Sequence, residues 1–532
     1  MNSQSPVGVV VIARHGDRSG KSTPDWSSKT GIQDPHSARA RKADPNDFFL
    51  PLIASSHFGL SLDLAPHPNP LLPFHPCKPF SQNPDQYTAS DTQITPLGEN
   101  QCFQLGTMLR NIYGQGTGSA RAIVGLSSTT LNPSQVNATA DAGGEGSTIY
   151  DSAISFWQGF YPPNLSVSNQ TLANSSVMTS PLQGYQYVQV NTVLPADDVD
   201  FEPWTSCNAW TNRTNDFYAS KAFKNKEAEQ DGFFTELKVS QLLGNRTVSL
   251  KNAFNFYDYM NVQSIHNASF AAELAKFPNG TLARAADAAS WLQYNLFTDA
   301  KLDGLGNLAG RAVFPRITNS LAAFTESDND VKIAHYHMSY KPFLSIFNMT
   351  NLAASTNPTF ENPTAMVDYA SVAVFELRPN GSGSSGYDVR FGFKNGSSQE
   401  TDVTYYPLFG SNSIDMDLRT FTENIEPYTV ANNSVWCDLC GNNGTVPACT
   451  TWSLAKDYAT LAEKYKALEP SLSNAEAGGI GAGVTIFVGL LILALMRAIG
   501  LISFGKRKPS KSSDRYPLTD HSSVKGSIAS GY

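Results

Sequence analysis

An apolar, β-branched run that leads directly into a basic cluster constrains the fold of this chain more than any other feature. Residues 6–13 read PVGVVVIA, which is typical of a buried strand in a parallel sheet. The residues that follow, 14–18, read RHGDR. In an open α/β sheet, ligands bind outside the carboxyl ends of the strands. The order of the two segments therefore predicts that the basic cluster lies at a binding edge.

The basic cluster joins one imidazole to two guanidinium groups. A neutral histidine can attack phosphorus as a nucleophile, so His15 is the candidate catalytic residue. Arg14 and Arg18 present forked donors that match the oxygens of a phosphate ester and stabilise its spreading negative charge. We therefore expect a phosphate ester as the substrate. The alternative is a basic turn that contains a histidine by chance.

Several other segments follow in an order that fits one family. They are a helix start at 94–101 (ITPLGENQ) with Thr95 as N-cap and Pro96 at the first position, an apolar strand at 122–128, a helix and its exit at 152–163, and an antiparallel pair at 372–377 and 388–393. Together with RHGDR they resemble the histidine acid phosphatases, the branch of the phosphoglycerate mutase-like superfamily that includes acid phosphatases and phytases. The resemblance covers most of residues 6–450, and SYKPFL at 339–344 is most similar to membrane-anchored fungal members.

The resemblance implies both a fold and a mechanism. The fold is α/β over residues 6–475: a mainly parallel sheet with helices on both faces, plus a mostly helical cap at about 164–300 inserted after the second core strand. The mechanism is a phosphohistidine intermediate on His15 that is hydrolysed in a second step, with Arg14 and Arg18 as phosphate clamps. Neither a cofactor nor a metal ion is expected.

Two parts of the family pattern are missing. The family has a third arginine at the end of the second core strand, where this chain has Ser127. The family also has a late His-Asp pair that contacts phosphate and protonates the leaving group. Counted from the preceding strand, His335 takes the histidine position and Tyr336 the aspartate position. Counted back from the following helix, Tyr336 takes the histidine position and His337 the aspartate position. Either histidine, when protonated, is a candidate proton donor.

A long segment separates the RHGDR motif from the predicted helix at 94–101. Residues 21–79 are rich in Pro, Ser and His and show little periodicity. We interpret this insert, which includes Cys77, as a retained intron in the gene model. The alternative is a loop that covers the substrate.

Charge is distributed unevenly along the chain. The net charge is −8 overall, but it is −13 before residue 477 and +5 in residues 477–532. The chain therefore lacks the basic surplus of a nucleic-acid-binding protein. Residues 477–496 contain no charged side chain, which predicts a transmembrane helix over 477–504 in contact with membrane lipid. The basic residues after it predict a cytoplasmic tail at 505–532.

We expect residues 1–476 to lie outside the cell or in a lumen. Thirteen N-x-S/T sequons precede the predicted membrane segment and none follows it, which predicts a glycoprotein. Six cysteines fit disulfides in an oxidising compartment; the alternative, a zinc site at Cys437 and Cys440, has no complete ligand set nearby. The chain opens MNSQSPVGVV, which does not read as a signal sequence. The alternatives are therefore an incomplete gene model or a tail-anchored protein with a cytosolic domain.

Two functions follow from the sequence. The first is a membrane-anchored acid phosphatase that hydrolyses phosphomonoesters through His15. The second is a weak or inactive pseudophosphatase that binds an anionic ligand or has a structural role at a surface. The second gains support from the two missing parts of the catalytic set, since a general acid alone contributes about 10²–10⁴-fold to a rate. The sequence leaves the oligomeric state open.

Overall fold

The computed structural model describes most of the chain before residue 499. The described residues are 5–19, 92–127, 129–141, 147–194, 197–354, 360, 362–381, 384–397, 401–442, 446–468 and 474–498. The predicted insert at 21–79, with Cys77, and the predicted tail at 505–532 lie outside these residues. The chain divides into two units, 1–454 and 455–532.

Within the described residues, eight of ten strands form one mixed sheet. The strands are β1 (Gly8–Arg14), β2 (Val136–Ala140), β3 (Asn169–Thr171), β4 (Val177–Thr179), β5 (Val190–Asn191), β6 (Ile333–Met338), β7 (Val372–Pro379), β8 (Tyr387–Lys394), β9 (Thr404–Tyr406) and β10 (Asp415–Asp417). The order in the sheet is β10-β8-β7-β1-β6-β2-β5, with β9 paired to β8, while β3 and β4 form a separate hairpin. The pairs β1–β6, β6–β2 and β2–β5 are parallel, and the pairs β1–β7, β7–β8, β8–β9 and β8–β10 are antiparallel.

The sheet corrects one part of the predicted fold and confirms two others. It is mixed rather than mainly parallel, because the strands that follow β6 in sequence all pair in the antiparallel direction. The predicted antiparallel pair is confirmed as β7 and β8. The α/β class is also confirmed.

The described helices number fourteen. They are α1 (Pro96–Tyr113), α2 (Thr148–Phe160), α3 (Pro181–Gly184), α4 (Asn208–Ala219), α5 (Lys221–Val239), α6 (Ala253–His266), α7 (Ala268–Leu274), α8 (Thr281–Phe297), α9 (Leu308–Ala323), α10 (Lys341–Met349), α11 (Leu418–Ile425), α12 (Asn433–Cys440), α13 (Thr450–Leu468) and α14 (Asn474–Ala498). Helices α3 to α8 lie within 164–300, which agrees with mostly helical content there. That this segment forms a cap stays a prediction.

Helices cover both faces of the sheet, and the side chains of β1 alternate between them. Val10 and Ile12 pack in a core that includes α6, α8, α9 and α10. Val9, Val11 and Ala13 pack in a second core with α1 and α2. Period-two alternation with apolar residues on both sides is what a central strand requires. The predicted helices on both faces are therefore confirmed.

The helix at 96–113 begins as the sequence predicts. The Thr95 hydroxyl accepts a hydrogen bond from the Gly98 N–H, and Pro96 occupies the first turn. Further along, α1 packs closely against α2 at Gly106. A Cβ at Gly106 would lie 1.9 Å from the carbonyl oxygen of Phe156. The contact between these helices therefore depends on a residue without a side chain.

The second core strand lies later in the sequence than predicted. Residues 122–127 form turns: Gly125 has a φ of 79°, and the Leu126 N–H donates to the Ile123 carbonyl at 3.2 Å. Ile123 and Leu126 are buried beside α1 without joining the sheet. The strand that pairs with β6 is β2, so the predicted strand at 122–128 is wrong. The apolar run reflects a buried turn, because a positive φ at Gly125 interrupts an extended backbone.

The described residues contain two disulfides, one between segments 233 residues apart and one that closes a loop with a separation of 12 residues. Cys207 at the start of α4 is bonded to Cys440 in α12, and Cys437 is bonded to Cys449. The prediction of disulfides is confirmed, and the zinc alternative at Cys437 and Cys440 is wrong because both sulfurs are bonded to other cysteines. In the second unit, the structure describes the helix α14. Among the helices that the structure describes, none is long and apolar enough to cross a bilayer.

A buried histidine pair lies inside β6. The rings of His335 and His337 are hydrogen-bonded, with 3.2 Å between the Nε2 of the first and the Nδ1 of the second. His335 stacks on Phe156, with ring centroids 4.3 Å apart, and meets Trp157 edge-on. Burial lowers the pKa of His337 to about 3, and burial together with His337 holds the pKa of His335 well below its usual range. Both histidines are therefore neutral core residues at mildly acidic pH.

The close contact of α1 and α2 predicts the effect of a small substitution. We expect Gly106→Ala to lower the free energy of unfolding by about 1–3 kcal/mol, because the added methyl group forces two backbones apart. The matched control is Gly232→Ala in α5, where an added Cβ meets nothing within 4 Å. This control should be neutral or stabilise by about 0.4–1 kcal/mol. Urea unfolding would measure both variants, and equal effects would contradict the packing argument.

The buried histidine pair predicts a dependence of stability on pH. The unfolded chain binds a proton at His337 below its ordinary pKa of 6.5, whereas the folded protein keeps it neutral down to about pH 3. Acidification through this window favours the unfolded state, by up to about 1.4 kcal/mol per pH unit for each proton. We expect His337→Gln to have a shallower loss of stability than the wild type between about pH 6.5 and 5, above the range where most carboxylates titrate. If the free energies of unfolding, measured in urea at each pH, fall equally steeply with pH in both proteins, this explanation is refuted.

Candidate active site

The carboxyl ends of three parallel strands meet beside the RHGDR motif. Arg14, the last residue of β1, is in register with Met338, the last residue of β6. The His15 N–H then donates to the Met338 carbonyl at 3.3 Å, and the Asp141 N–H, just after β2, donates to the His337 carbonyl at 2.9 Å. The basic cluster therefore lies at the binding edge that the sequence predicts.

His15 is almost completely buried, at 1 % exposure, and its ring orientation is fixed. The Nδ1 atom lies 2.8 Å from the Gly16 carbonyl oxygen. Since a carbonyl only accepts, Nδ1 carries the proton and the neutral ring has its lone pair on Nε2. This is the tautomer that a nucleophilic histidine requires.

The loop that carries His15 is held by the N-terminal parts of α1 and α2. The Gly16 N–H donates to the Ser152 hydroxyl at 3.1 Å. A Cβ at Gly16 would lie 2.4 Å from the Gly98 carbonyl oxygen, so the loop rests directly on the backbone of α1. The position of His15 thus depends on two helix ends as well as on β1.

Arg14 lies between two aromatic rings at the edge of a cleft. Its guanidinium carbon is 4.5 Å from the ring centre of Tyr369 and 5.2 Å from that of Tyr340. Its Nη1 donates to the Val367 carbonyl. The Tyr369 ring also lies 5.5 Å from the His15 ring, and burial raises the pKa of Tyr369. The Tyr369 ring therefore contacts both the predicted phosphate clamp, Arg14, and the predicted nucleophile, His15. Its hydroxyl remains protonated.

Arg18 is buried and paired with a carboxylate that the sequence does not reveal. Its two Nη atoms donate to the two oxygens of Asp258 in α6, at 2.9 and 3.4 Å. Nη1 also donates to the Ser19 carbonyl at 3.0 Å. The forked geometry that suits a phosphate is thus used on an internal carboxylate.

A second polar pair also joins the motif to α6. The Asp17 carboxylate is fully buried and lies 2.6 Å from the Nε2 of His266, the last residue of α6. The same carboxylate accepts from the Thr95 hydroxyl at the start of α1. Together with the Arg18–Asp258 pair, this contact holds α6 across the motif at two points.

The structure places neither His335 nor His337 at the end of β6. Both lie inside the strand, and the residues that follow it are Ser339 and Tyr340. This differs from both predicted registers. A buried histidine with a pKa of about 3 does not supply a proton near pH 5, so His337 is unsuited to the predicted role of proton donor.

Ser127 also lies elsewhere than predicted. Its N–H donates to the Gln135 side chain at 3.0 Å and its hydroxyl donates to the Thr130 carbonyl at 2.5 Å, which places it in the turns before β2. The residue that follows β2 is Asp141, which is buried. The second core strand therefore ends in an acidic residue instead of the family's arginine.

A cleft of about 400 Å³ opens beside Arg14. Its lining residues include Asp258 of α6, Asp368 and Tyr369. Sequence reasoning missed Asp258, His266 and Tyr369, because each lies 240 residues or more from its partner in the motif and belongs to no recognisable pattern. Within the described residues, no group of three or more His, Cys, Asp or Glu side chains is arranged to hold a metal ion.

The family model of the histidine phosphatase superfamily (branch 2) matches residues 7–275. No functionally curated protein matches the chain significantly.

Solved structures that are similar to this chain include two phytases and one multiple inositol polyphosphate phosphatase. The phytase from Citrobacter braakii is 12 % identical with a TM-score of 0.45, and the match covers 81 % of this chain and 98 % of that one. The phytase of Klebsiella sp ASR1 is 9 % identical with a TM-score of 0.46, covering 80 % and 96 %. A multiple inositol polyphosphate phosphatase from Bifidobacterium longum is 11 % identical with a TM-score of 0.43, covering 81 % and 94 %.

The family model spans about half of the chain and contains the RHGDR motif, β1, α1 and α2. The chain therefore belongs to branch 2 of the histidine phosphatase superfamily.

Proposed function

We propose that the protein is a phosphomonoester hydrolase that works through a phosphohistidine on His15. The observation that carries this proposal is the contact between Nδ1 of His15 and the Gly16 carbonyl, which leaves the lone pair on Nε2 at the carboxyl end of β1. The Tyr369 ring contacts both the Arg14 guanidinium and the His15 ring. Nucleophile and clamp are thus both supplied by the end of one strand.

The proposed reaction has two steps. In the first, Nε2 of His15 attacks phosphorus, so that a P–N bond forms while the ester P–O bond breaks, and the leaving oxygen takes up a proton from solvent. In the second, water attacks the phosphohistidine, the P–N bond breaks, and inorganic phosphate leaves with the Nε2 lone pair restored, while the proton that the water loses returns to solvent. The Arg14 guanidinium stabilises the charge that spreads over the phosphoryl oxygens in both steps.

Binding of an anionic ligand with little turnover is the second candidate function. The pairing of Arg18 with Asp258 favours it, because that guanidinium already has a carboxylate in place of a phosphate. The neutral state of the buried His335 and His337 favours it too, since neither supplies the proton for the leaving group. The two candidates differ in whether His15 becomes phosphorylated.

The first experiment asks whether His15 forms a covalent intermediate. We expect the wild-type protein, quenched during turnover of a ³²P-labelled phosphomonoester, to hold a label that is stable in alkali and lost in acid, as a phosphoramidate is. His15→Ala should hold no label and hydrolyse a chromogenic phosphomonoester at background rate over about pH 3–7. Arg14→Ala should lower kcat/KM by at least about 100-fold.

The control for this experiment is Arg419→Ala, at an exposed position in α11 that should leave the rate unchanged. Equal rates for the wild type and His15→Ala would reject the hydrolase proposal. If both proteins are inactive but only variants of Arg14 lose affinity for inorganic phosphate, the binding function is the one supported.

We also propose that the protein is a single-pass membrane glycoprotein whose N-terminal domain is lumenal or extracellular. The uncharged run at 477–496, the basic residues after it and the sequons before it support the proposal. The disulfide between Cys207 and Cys440 is of the kind that forms in oxidising compartments.

Cell fractionation provides the test of location. We expect the full chain to stay in the membrane pellet after alkaline carbonate extraction and to shift to lower mass after endoglycosidase treatment. A variant that ends at residue 476 should appear in the soluble lumenal or secreted fraction. Complete extraction of the full chain, or a mass insensitive to endoglycosidase, would contradict the proposal.

A further inference from the structure

We propose that Asn395 carries an N-linked glycan at the rim of the cleft beside Arg14, and that this glycan restricts the cleft to small phosphomonoesters by excluding phosphoproteins. The inference rests on the proposed function, for which it specifies one modified residue and the substrate class. Asn395, Gly396 and Ser397 form one of the thirteen sequons of the chain. The inference follows from the place that the fold gives this sequon.

The sequon at 395–397 lies on the wall of the cleft. All three of its residues line the cleft, together with Arg14, Asp368 and Tyr369. The first and last residues of the sequon are exposed, as is Asp368, whereas Arg14 and Tyr369 are buried. The exposed residues therefore form the outer rim of the cleft, and the buried ones lie at its inner end, where the proposed reaction takes place.

The amide of Asn395 is held on this wall through its oxygen. Oδ1 accepts from the Asp368 N–H and from the Ser371 hydroxyl, each at 2.9 Å. Nδ2 donates to Oδ2 of Asp368 at 3.1 Å, so one of its two hydrogens has a partner among the described residues. Because glycosylation replaces one Nδ2 hydrogen and leaves Oδ1 unchanged, the amide can carry a sugar and keep its position.

The segment that holds the Asn395 amide also contacts the RHGDR motif. The Ala370 N–H donates to the His15 carbonyl at 3.0 Å, and the Arg14 N–H donates to the Ser371 carbonyl at 2.9 Å. Between these two bonds, the Tyr369 ring lies against both Arg14 and His15. A group attached at the rim therefore begins beside a segment that is bonded directly to the proposed nucleophile and clamp.

A second sequon, at Asn348, has the opposite arrangement. Its Nδ2 donates to the Asp299 carbonyl at 2.8 Å and to Oδ1 of Asn307 at 2.9 Å, which uses both of its hydrogens. Its Oδ1 accepts from the Tyr294 hydroxyl at 3.0 Å, and the sequon threonine, Thr350, is fully buried. A glycan at Asn348 is incompatible with this fold, so the structure separates two sequons that are equivalent in the sequence.

The modification is a transfer from an oligosaccharide that is linked to a lipid through a diphosphate, the donor in secretory compartments. Nδ2 of Asn395 attacks the anomeric carbon of the first sugar, so that a C–N bond forms while the C–O bond to the diphosphate breaks. A base of the transferase takes the Nδ2 proton, and the lipid diphosphate leaves. Because this transfer occurs on the unfolded chain, the folded protein has only to accommodate the product, which an exposed asparagine does.

A glycan at the rim acts on large substrates more than on small ones. The cleft volume of about 400 Å³ is typical of sites that enclose a small molecule, so a small ester can lie inside the rim. A phosphoserine on a folded protein brings its polypeptide against the rim, where a bulky glycan stands. Such a clash discriminates between ligands without changing the contacts to the phosphoryl group.

The first test maps the glycans on the full chain, produced in a eukaryotic secretory host. We expect peptide N-glycosidase in heavy-oxygen water, followed by peptide mass spectrometry, to mark Asn395 and to leave Asn348 unmarked. If other sequons are marked but Asn395 is not, the inference is overturned and the glycoprotein proposal stands. A protein without any marked sequon would overturn both.

The second test measures selectivity with two probes, 4-nitrophenyl phosphate and phosphorylated casein. Ser397→Ala removes the sequon but keeps Asn395 and its contacts, and we expect it to raise the ratio of kcat/KM for casein to that for the small ester by at least about tenfold. Ser397→Thr keeps the sequon and should keep the wild-type ratio. The matched control is Ser176→Ala, which removes a sequon between β3 and β4 and should leave the ratio unchanged.

Binding separates this inference from the proposed hydrolase activity. Dissociation constants of both probes, measured by calorimetry in a His15→Ala background, report the same selectivity without turnover. Tighter binding of casein after Ser397→Ala, in a protein that hydrolyses neither probe, would support the inference and count against the hydrolase alone. If Asn395 carries a glycan and Ser397→Ala leaves both the kinetic and the binding ratio unchanged, the selective role of the glycan is overturned.

Discussion

The pairing of β1 on both of its edges is the constraint on which the rest of the structure depends. β1 lies between β6, which runs parallel to it, and β7, which runs antiparallel. Every residue of the strand is buried, so its backbone groups must be satisfied by these two ladders. Because the ladders fix where β1 ends, they also fix the position of His15, the next residue. The active-site geometry is in this sense an extension of the sheet.

Local sequence patterns were enough to predict those elements whose signal lies within a few residues. β1, the capped start of α1 and the β7–β8 pair each have a signal within a few residues: a β-branched run, a Thr-Pro pair, or two apolar segments that alternate. β2 has no such signal, because its residues, VNATA, are short and partly polar. It is a strand because β6 and β5 pair with it from both sides, whereas the more apolar segment at 122–127 is interrupted by Gly125.

The candidate site was predictable only on the side that the motif supplies. Arg14, His15 and Arg18 are adjacent in sequence, so the spacing that brings them together is local. Their partners Asp258 and Tyr369 arrive from α6 and from the segment before β7, and nothing in a single sequence links an isolated aspartate to an arginine so distant. For the late histidines, residue type and position point in opposite directions, and their catalytic role stays a prediction. Their residue type suits catalysis, but their position inside β6 places them in the core.

The pairing of Arg18 with Asp258 limits how the site can bind a phosphate group. Both side chains are buried, so removing one from the other leaves an uncompensated charge in a medium of low dielectric constant. A phosphate that took Arg18 would therefore have to leave the Asp258 carboxylate unpaired beside a second anion. The protein avoids this cost when the phosphoryl group is held by Arg14 and Asp258 keeps its partner. The same carboxylate thus limits how strongly the site attracts phosphate, because it holds one of the two guanidinium groups of the motif.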